Sequence, residues 1–463
     1  MKKILFPFLL FLAAFIVYNC DRNGSETRNI AGLKLSTDTV FFDTVFTSIG
    51  SDTQVFKMYN TTNQPMLINN VKLAGGSNSI FRINLNGTSG IDFDDIEILP
   101  NDSQYFFLEV TVDPNDEALP FVAKDSIWFE GNDGKIDVKL IAWGQNAYFH
   151  KDEIIVENTT WPTDKPHVLF GENSVALGAK LTIPAGCKVH GHSFSRLNIW
   201  RGSSISAIGT VEEPIVFQGD RLDEGYDVLP GQWIGIRMRP GAVKGEFANV
   251  TIKNGFIGLQ VDSMPKSEET SVFLQNSTIS TMNLFGLLCY AGNIEVVNTE
   301  IINSCGYLFA GEFGGKYVFA NCTFGGYQKN CTRSDASVFL SNANFVDINE
   351  IKHINELDAL FTNCIVYGNQ DEEIELSLSG EGEIEQLAFD HCLLKTEIAD
   401  LNANNNILNK DPKFIAPGLL NYQLDTLSPA IGKARIIATI TKDRLGNDRD
   451  VNFPDIGAFE RQE

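Results

Sequence analysis

The sequence predicts an all-β fold, in which an antiparallel sandwich is followed by a solenoid of short stacked strands. Three observations support this prediction. Seven strand-like runs separated by turn residues occupy residues 31–150. An asparagine-centred motif recurs from residue 247 to residue 394, and few stretches show the apolar period of a helix. With 463 residues, 43% of them hydrophobic, the chain has enough core for two or three domains.

The N-terminus resembles a bacterial lipoprotein signal. Lys2 and Lys3 precede an apolar run over residues 4–17, which ends just before Cys20; such a run is too short to span a bilayer stably. The resemblance implies a signal peptide over residues 1–19, acyl chains such as palmitate on Cys20 and a tether over residues 20–30. We therefore expect an outer-membrane protein, lipid-anchored and displayed at the cell surface; secretion without lipid is the alternative.

Residues 31–150 predict a sandwich of immunoglobulin type, because seven short strands alternate with Gly, Asn, Asp and Pro turns. The runs are VFFDTVF, QVFKMYN, MLINNVKL, FRINLNG, QYFFLEVTV, DSIWFEG and IDVKLIAWG. We expect this domain to be a spacer before the solenoid.

The repeated motif is apolar, any residue, Asn, small, any residue, apolar. It occurs at Asn249, Asn276, Asn298, Asn321, Asn342 and Asn363, and His391 takes the asparagine's place in a seventh copy. Repeats of this length made of short strands predict a solenoid of stacked coils. Asparagine tolerates left-handed backbone angles, so the six amides are expected to stack as a structural ladder at one corner.

The cysteines other than Cys20 predict packing rather than cross-linking. Their number is odd, their spacing is irregular and there is no CxxC pair, so we expect neither a disulfide framework nor a metal site. Cys322, Cys364 and Cys392 follow the repeated asparagine, or its histidine substitute, and should point inward as small apolar residues.

Two stretches resemble a family of bacterial surface lipoproteins that contain right-handed parallel β-helix (pectate-lyase-like) repeats. They are LTIPAGCKV…SISAIGTVEEPIVFQGD…PGQWIGIRM (181–238) and DPKFIAPGLLNYQLDTLSPAIGKA…DRLGNDRDVNFPDIGAFE (411–460). The resemblance and the repeats imply a β-helix over residues 175–410 and a closing segment over residues 411–463, and residues 151–174 are expected to connect the sandwich to the β-helix. We expect the closing segment to cover the open end of the solenoid. The family includes lyases, hydrolases, adhesins and proteins of no known activity.

The sequence assigns no catalytic residue, metal ligand or cofactor. The acid–base carboxylate pairs and calcium-binding aspartate groups of polysaccharide-cleaving enzymes are not recognisable. His190 and His192 share a strand face, but without a third ligand they are interpreted as ordinary surface residues.

Two groups of residues are candidates for binding. Exposed tryptophans and arginines could stack on and pair with a sugar acid, although a tryptophan can also form part of a coil wall; these residues are Trp200, Arg201, Trp233, Arg237 and Arg239. An acidic strand could bind a cation or a basic partner, or simply keep the surface soluble; its residues are Asp371, Glu372, Glu373 and Glu375.

The sequence thus favours a non-catalytic surface lipoprotein whose β-helix presents a rigid face to a glycan or an envelope protein. The alternatives are a polysaccharide lyase or hydrolase acting on the β-helix groove, and a structural subunit of an outer-membrane assembly. The net charge of -23 argues against a nucleic acid partner.

Overall fold

A computed structural model describes residues 26–47, 49–112, 121–223, 225–263, 271–345, 352–380 and 384–462. Cys20 and the predicted signal peptide lie outside these ranges. The chain divides into two compact units, with the boundary between Asn146 and Ala147. Within the described ranges, no helix is long and apolar enough to cross a bilayer.

The first unit is an immunoglobulin-like sandwich. In the described part of this unit, one sheet has the strand order Leu33–Leu35, Gln54–Asn60, Ser103–Val110, Phe81–Leu85, Thr88–Gly90. The other has the order Thr39–Phe46, Gly134–Gln145, Phe121–Gly131, Met66–Leu73, Asp92–Ile98. The alternating apolar residues face inward, where the rings of Phe56 and Phe106 stack at 4.6 Å and Phe129 packs edge-on against both. The sequence missed the three strands at residues 33–35, 88–90 and 92–98.

The second unit is a right-handed parallel β-helix with three long sheets, and each coil visits sheets 1, 2 and 3 in turn. In the described residues, sheet 1 contains Tyr148–Lys151, His167–Phe170, Lys188–Gly191, Ile215–Gly219, Val250–Lys253, Thr278–Ser280, Glu300–Ile302, Thr323–Gly326, Ile365–Gly368, Leu393–Leu394 and Ile407–Leu408. Sheet 2 contains Ile154–Ile155, Glu172–Val175, Arg196–Ile199, Gly235–Met238, Ile257–Asp262, Phe285–Tyr290, Phe309–Glu312, Val338–Ser341 and Ile374–Ser377. Sheet 3 contains Thr159–Thr160, Lys180–Ile183, Ser204–Ile208, Lys244–Ala248, Val272–Gln275, Asn293–Val297, Gly315–Ala320, Leu357–Thr362 and Ile384–Asp390.

The solenoid begins earlier in the chain than the sequence analysis placed it. Its first sheet 1 strand is Tyr148–Lys151, and residues 151–174, which were assigned to a connection, already contribute strands to all three sheets. These strands are only two to four residues long, too short to show a clear apolar alternation.

Side chains alternate between the solenoid core and its surface along every strand. In sheet 3 the inward column includes Phe319, Phe361 and Phe389, whose rings stack on successive coils at centroid distances of 4.8 and 4.5 Å. On each of these strands, the residues next to the phenylalanine point outward. The sheets are therefore fixed in register by their buried columns.

The corner between sheets 3 and 1 carries the asparagine column. Asn249, Asn276, Asn298, Asn321 and Asn363 all adopt left-handed backbone angles, with φ between 47° and 56°. Asn363 Nδ2 donates to Asn321 Oδ1 at 2.7 Å, and Asn298 Nδ2 donates to Asn276 Oδ1 at 3.2 Å. Two pairs of amides therefore bond to each other across coils, while the backbone N–H of each of these asparagines donates to a carbonyl on the next coil.

Asn342 is not part of this column, and its assignment to the ladder was wrong. It follows the sheet 2 strand Val338–Ser341 and exchanges two hydrogen bonds with the backbone of Ser379. The register passes directly from Ala320 to Thr362 on the next coil. One long coil therefore separates Asn321 from Asn363, and the motif at 342 matched only because other strand ends share the same apolar–Asn–small pattern.

The cysteines show one feature that the sequence analysis did not predict. Cys305 and Cys331 form a disulfide, whereas the other described cysteines (Cys187, Cys289, Cys322, Cys364 and Cys392) are free and buried. Cys331 belongs to the long coil, so coil-by-coil spacing gave no sign of its partner. Cys322, Cys364 and Cys392 occupy the inward position after the corner, where Cys364 N donates to Cys392 Sγ at 3.3 Å.

The C-terminal strap, residues 411–462, does not cover the open end of the solenoid as predicted. It runs along the outside of the coils at the corner of sheets 3 and 1. Arg435 N donates to Asn363 Oδ1 at 2.7 Å, and Asn298 Nδ2 donates to the carbonyl of Lys442 at 2.8 Å. Ile398 instead packs against the core beside the last strands, so residues just before the strap shield that end.

The remaining described elements are short. They are the 3-10 helices Gly76–Asn78, Tyr226–Val228, Ala399–Asn402 and Pro417–Leu419, the antiparallel pair Ala343–Phe345 with Lys352–Ile354, and the pair Phe414–Ala416 with Asn421–Leu424.

Candidate functional site

The candidate site lies on the outer face of sheet 2, in the early coils. Ser174, Asn198, Arg237 and Gln260 are register partners on successive strands. Their strand neighbours Leu197 and Ile236, among others, are buried in the core. The alternation along each strand therefore directs this polar column away from the core.

Trp200 lies just beyond this column and is the most accessible aromatic group of the site. Its side chain is 43% exposed, and its Nε1 donates to Ser174 Oγ at 3.0 Å. The Arg239 guanidinium lies over the ring, 4.8 Å from its centroid, and Arg239 Nε donates to Asn198 Oδ1 at 3.0 Å. The indole is thus held in place and still open to solvent, as a sugar-stacking platform requires.

Arg237 is held by an ion pair on the next coil. Its Nε and Nη2 both lie 2.6 Å from Asp262 Oδ2, and Gln260 Nε2 donates to the other carboxylate oxygen at 2.9 Å. The Asp262 side chain is only 4% exposed. Arg237 therefore has its charge matched within the protein.

The guanidinium of Arg196 lies farther from its counter-charge than that of Arg237 does. Its Nη1 lies 3.9 Å from Glu172 Oε1, while Asn198 Nδ2 donates to Glu172 Oε2 at 2.6 Å. Burial lowers the pKa of Arg196, and the nearby charge of Arg237 lowers it further against the opposing effect of Glu172. Burial also lowers the pKa of Arg239, as do the charges of Arg237 and Arg196. The three guanidinium groups are therefore close enough to repel one another.

Trp233 does not belong to this face, and its prediction as an exposed ligand residue was wrong. It is 1% exposed, stacks on Phe217 and donates from Nε1 to the carbonyl of Lys253 at 2.9 Å. A Cβ at Gly191 would lie 2.6 Å from its side chain, so the indole packs directly against that backbone. Trp233 lies just before the strand Gly235–Met238, at a point where its side chain is directed into the core. Arg201, by contrast, is exposed and lies against Gly241.

The acidic candidates do not form one patch. Glu373 is fully buried and pairs with Arg333, so its prediction as part of a surface patch was wrong. Glu372 accepts the backbone N–H groups of Ile374 and Glu397. Asp371 and Glu375 are exposed, and Glu375 accepts a hydrogen bond from Tyr307. Across the part of the chain that the structure describes, no three His, Cys, Asp or Glu side chains are placed to hold a metal ion.

The face continues past the arginines with aromatic and acidic groups. Phe285 and Tyr307 stack at 6.1 Å, and Phe339 lies 5.2 Å from Tyr307. Tyr290 and Glu312 are register partners on adjacent strands. Burial raises the pKa of the Glu312 carboxyl, and burial followed by the charge of Glu312 raises the pKa of Tyr290.

Sequence reasoning missed the residues that complete the arginine group: Arg196, Glu172, Asn198, Gln260 and Asp262. A signal was present, because RLNIW and GIRMR align when Ile199 is placed beside Met238. This alignment pairs Asn198 with Arg237 and puts Trp200 beside Arg239. Asp262 falls on the following coil, where no repeated letter marks the register.

No protein-family profile matches this chain, and no curated protein sequence is significantly similar to it. A family 123 glycoside hydrolase from Clostridium perfringens is 13% identical over 25% of this chain and 26% of its own, with a TM-score of 0.18; this chain therefore spans about a quarter of that hydrolase. A PapD-like domain of human CEP192 is 10% identical over 25% of this chain and 84% of its own, with a TM-score of 0.17. The catalytic domain of a GH87 α-1,3-glucanase, in complex with tetrasaccharides, is 12% identical over 78% of this chain and 80% of its own, with a TM-score of 0.14.

Proposed function

We propose that this protein is a non-catalytic outer-membrane lipoprotein that binds a glycan along the outer face of sheet 2 at the cell surface. One observation carries the binding proposal: exposed Trp200 is braced by Arg239 and lies among partly buried arginines. This cationic group stands out on a chain whose net charge is -23. Aromatic rings with adjacent hydrogen-bonding groups are typical of saccharide sites.

The shape of the face suits an extended polymer. The nine described strands of sheet 2 are stacked in parallel, which at about 4.8 Å per strand gives a face roughly 38 Å long. Phe285, Tyr307 and Phe339 continue the row of rings beyond the arginines. A rigid solenoid surface of this kind favours several contacts along one ligand.

Replacing Trp200 with alanine is expected to weaken glycan binding about 10-fold or more, since truncating a central aromatic contact typically costs about 2 kcal/mol or more. The measurement is calorimetric titration with a panel of acidic and neutral oligosaccharides. Phe453 in the C-terminal strap is also exposed, at 69%, and Phe453→Ala serves as the control that should leave affinity unchanged. If no saccharide in the panel binds the intact protein, or if both variants bind equally well, the proposed face is wrong.

The disulfide supports an exported protein, because disulfides persist in the periplasm and outside the cell and are rare in the cytosol. Replacing Cys20 with serine is expected to move the protein from the membrane fraction to the soluble fraction and to abolish labelling by a palmitate analogue. Surface display is measured by protease accessibility in intact cells. Retention of the Cys20→Ser protein in membranes would exclude anchoring through this residue.

Cleavage of the bound glycan is the second candidate function. The half-buried carboxyl of Glu312 has a raised pKa, which is the usual state of a glycosidase proton donor. New reducing ends, or unsaturated products, in the same glycan incubations would replace the binding proposal with an enzymatic one.

A further inference from the structure

The arginine group of sheet 2 carries more positive than negative charge. Three guanidinium groups, those of Arg196, Arg237 and Arg239, stand against the carboxylates of Glu172 and Asp262. Neighbouring Asn198, Gln260 and Trp200 are neutral. Among the described residues, one positive charge is therefore left over in a partly buried cluster, where like charges repel more strongly than in bulk water.

The excess charge belongs mainly to Arg196 and Arg239. Arg237 is ion-paired with Asp262 at 2.6 Å. Arg239 donates from Nε to the neutral amide of Asn198 and otherwise lies over Trp200. Glu172, the carboxylate nearest to Arg196, is 3.9 Å away, and no acceptor among the described residues makes a hydrogen bond to the Arg196 guanidinium.

The partners of Arg196 are also fixed in place. Glu172 Oε2 is held by Asn198 Nδ2, and Asn198 Oδ1 accepts from Arg239 Nε. The network thus orders the side chains around Arg196, while no described residue supplies an acceptor to its guanidinium. A guanidinium presents several N–H groups in one plane, a geometry that suits a carboxylate or a sulfate.

We infer that the outer face of sheet 2 contains a subsite for an anionic group on the glycan, a carboxylate or a sulfate ester, between Arg196 and Arg239 and beside the Trp200 ring. This inference rests on the proposed glycan binding. The anion supplies a hydrogen-bond acceptor to Arg196 and neutralises the excess charge of the described residues, while the indole contacts the sugar that carries the anion. The ligand class is accordingly an acidic polysaccharide.

The test compares matched oligosaccharides: a uronic acid oligosaccharide, its carboxyl-reduced neutral form and a sulfated form of that neutral chain. We expect the intact protein to bind either or both of the anionic forms at least about 10-fold more tightly than the neutral form, which is the scale of one charge-assisted contact. Arg196→Gln should reduce the affinity for the anionic forms to that for the neutral form. Arg196→Lys should fall between, because it keeps the charge and loses the planar donors.

Lys316→Gln is the matched control, since it removes one positive charge from the outer face of sheet 3, where Lys316 lies 3.8 Å from Asp358. It should leave all affinities unchanged, and circular dichroism on each variant checks folding. Equal binding of neutral and anionic forms by the intact protein would overturn the anion subsite while leaving glycan binding in place. An unchanged preference for the anionic forms in Arg196→Gln would also overturn it. Failure of every form to bind would overturn the proposed function itself.

Discussion

Replacing Glu373 with glutamine is expected to lower the free energy of unfolding by about 3–5 kcal/mol, because it leaves the Arg333 guanidinium buried without its counter-charge. Arg333 Nη1 and Nη2 donate to the two Glu373 oxygens at 2.9 and 2.7 Å. The side chains are 3% and 0% exposed. Ser337 and the backbone of Gln370 donate to the same carboxylate, so glutamine would also place an NH2 group where one of these oxygens now accepts hydrogen bonds.

Urea denaturation measures this effect, and Glu375→Gln is the control. Glu375 lies two residues away, in the strand Ile374–Ser377 that directly follows Glu373, but it is exposed. Its neutralisation should therefore change stability by less than about 1 kcal/mol. A double variant, Arg333→Met with Glu373→Leu, should recover much of the loss because it removes both charges together. Equal destabilisation by Glu373→Gln and Glu375→Gln would show that the buried pair does not stabilise this coil.

Replacing Asn363 with alanine is expected to cost about 2–4 kcal/mol, combining backbone strain with lost hydrogen bonds. The residue has φ of 56°, and its side chain bonds to Asn321 Oδ1 and to both backbone groups of Arg435. Glycine removes the strain but not the loss of the bonds. Thermal unfolding should therefore rank the proteins as wild type, then Asn363→Gly, then Asn363→Ala.

Asn342 provides the matched comparison. Its side chain also makes two hydrogen bonds, with Ser379, but its backbone is not left-handed. Here alanine should be better tolerated than glycine, because glycine brings only extra freedom in the unfolded chain. The same order of alanine and glycine at both positions would contradict the assignment of Asn363, and not Asn342, to the corner.

Much of the fold could be predicted because it depends on local patterns. At residues 249, 276, 298, 321 and 363 an asparagine adopts the left-handed bend, and the small residue after it points into the limited space of the core. The same pair of residue types therefore recurs at this corner on successive coils. Asn342 shows the limit of this reasoning. Its motif is equally local, but only the pairing of Ala320 with Thr362 reveals that it belongs to a different corner.

The candidate site was less predictable because it is assembled across coils. Trp200 and Arg239 lie near each other only through the register of sheet 2, and Asp262 meets Arg237 from a third coil. Trp233 and Glu373 each precede a sheet 2 strand. Whether their side chains are buried depends on the direction in which the backbone enters that strand. Composition and spacing along the chain carry no information on that direction.

The path of the C-terminal strap has a consequence for the order in which this protein matures. Arg435, Lys442 and Arg449 bind to corners formed by Asn363 and Asn298, at sequence separations of 72, 144 and 151 residues. Because a polypeptide is synthesised from its amino end, these partners become available last. The side chains of Asn298 and Asn363 therefore gain these strap partners only after the C-terminal segment has been made.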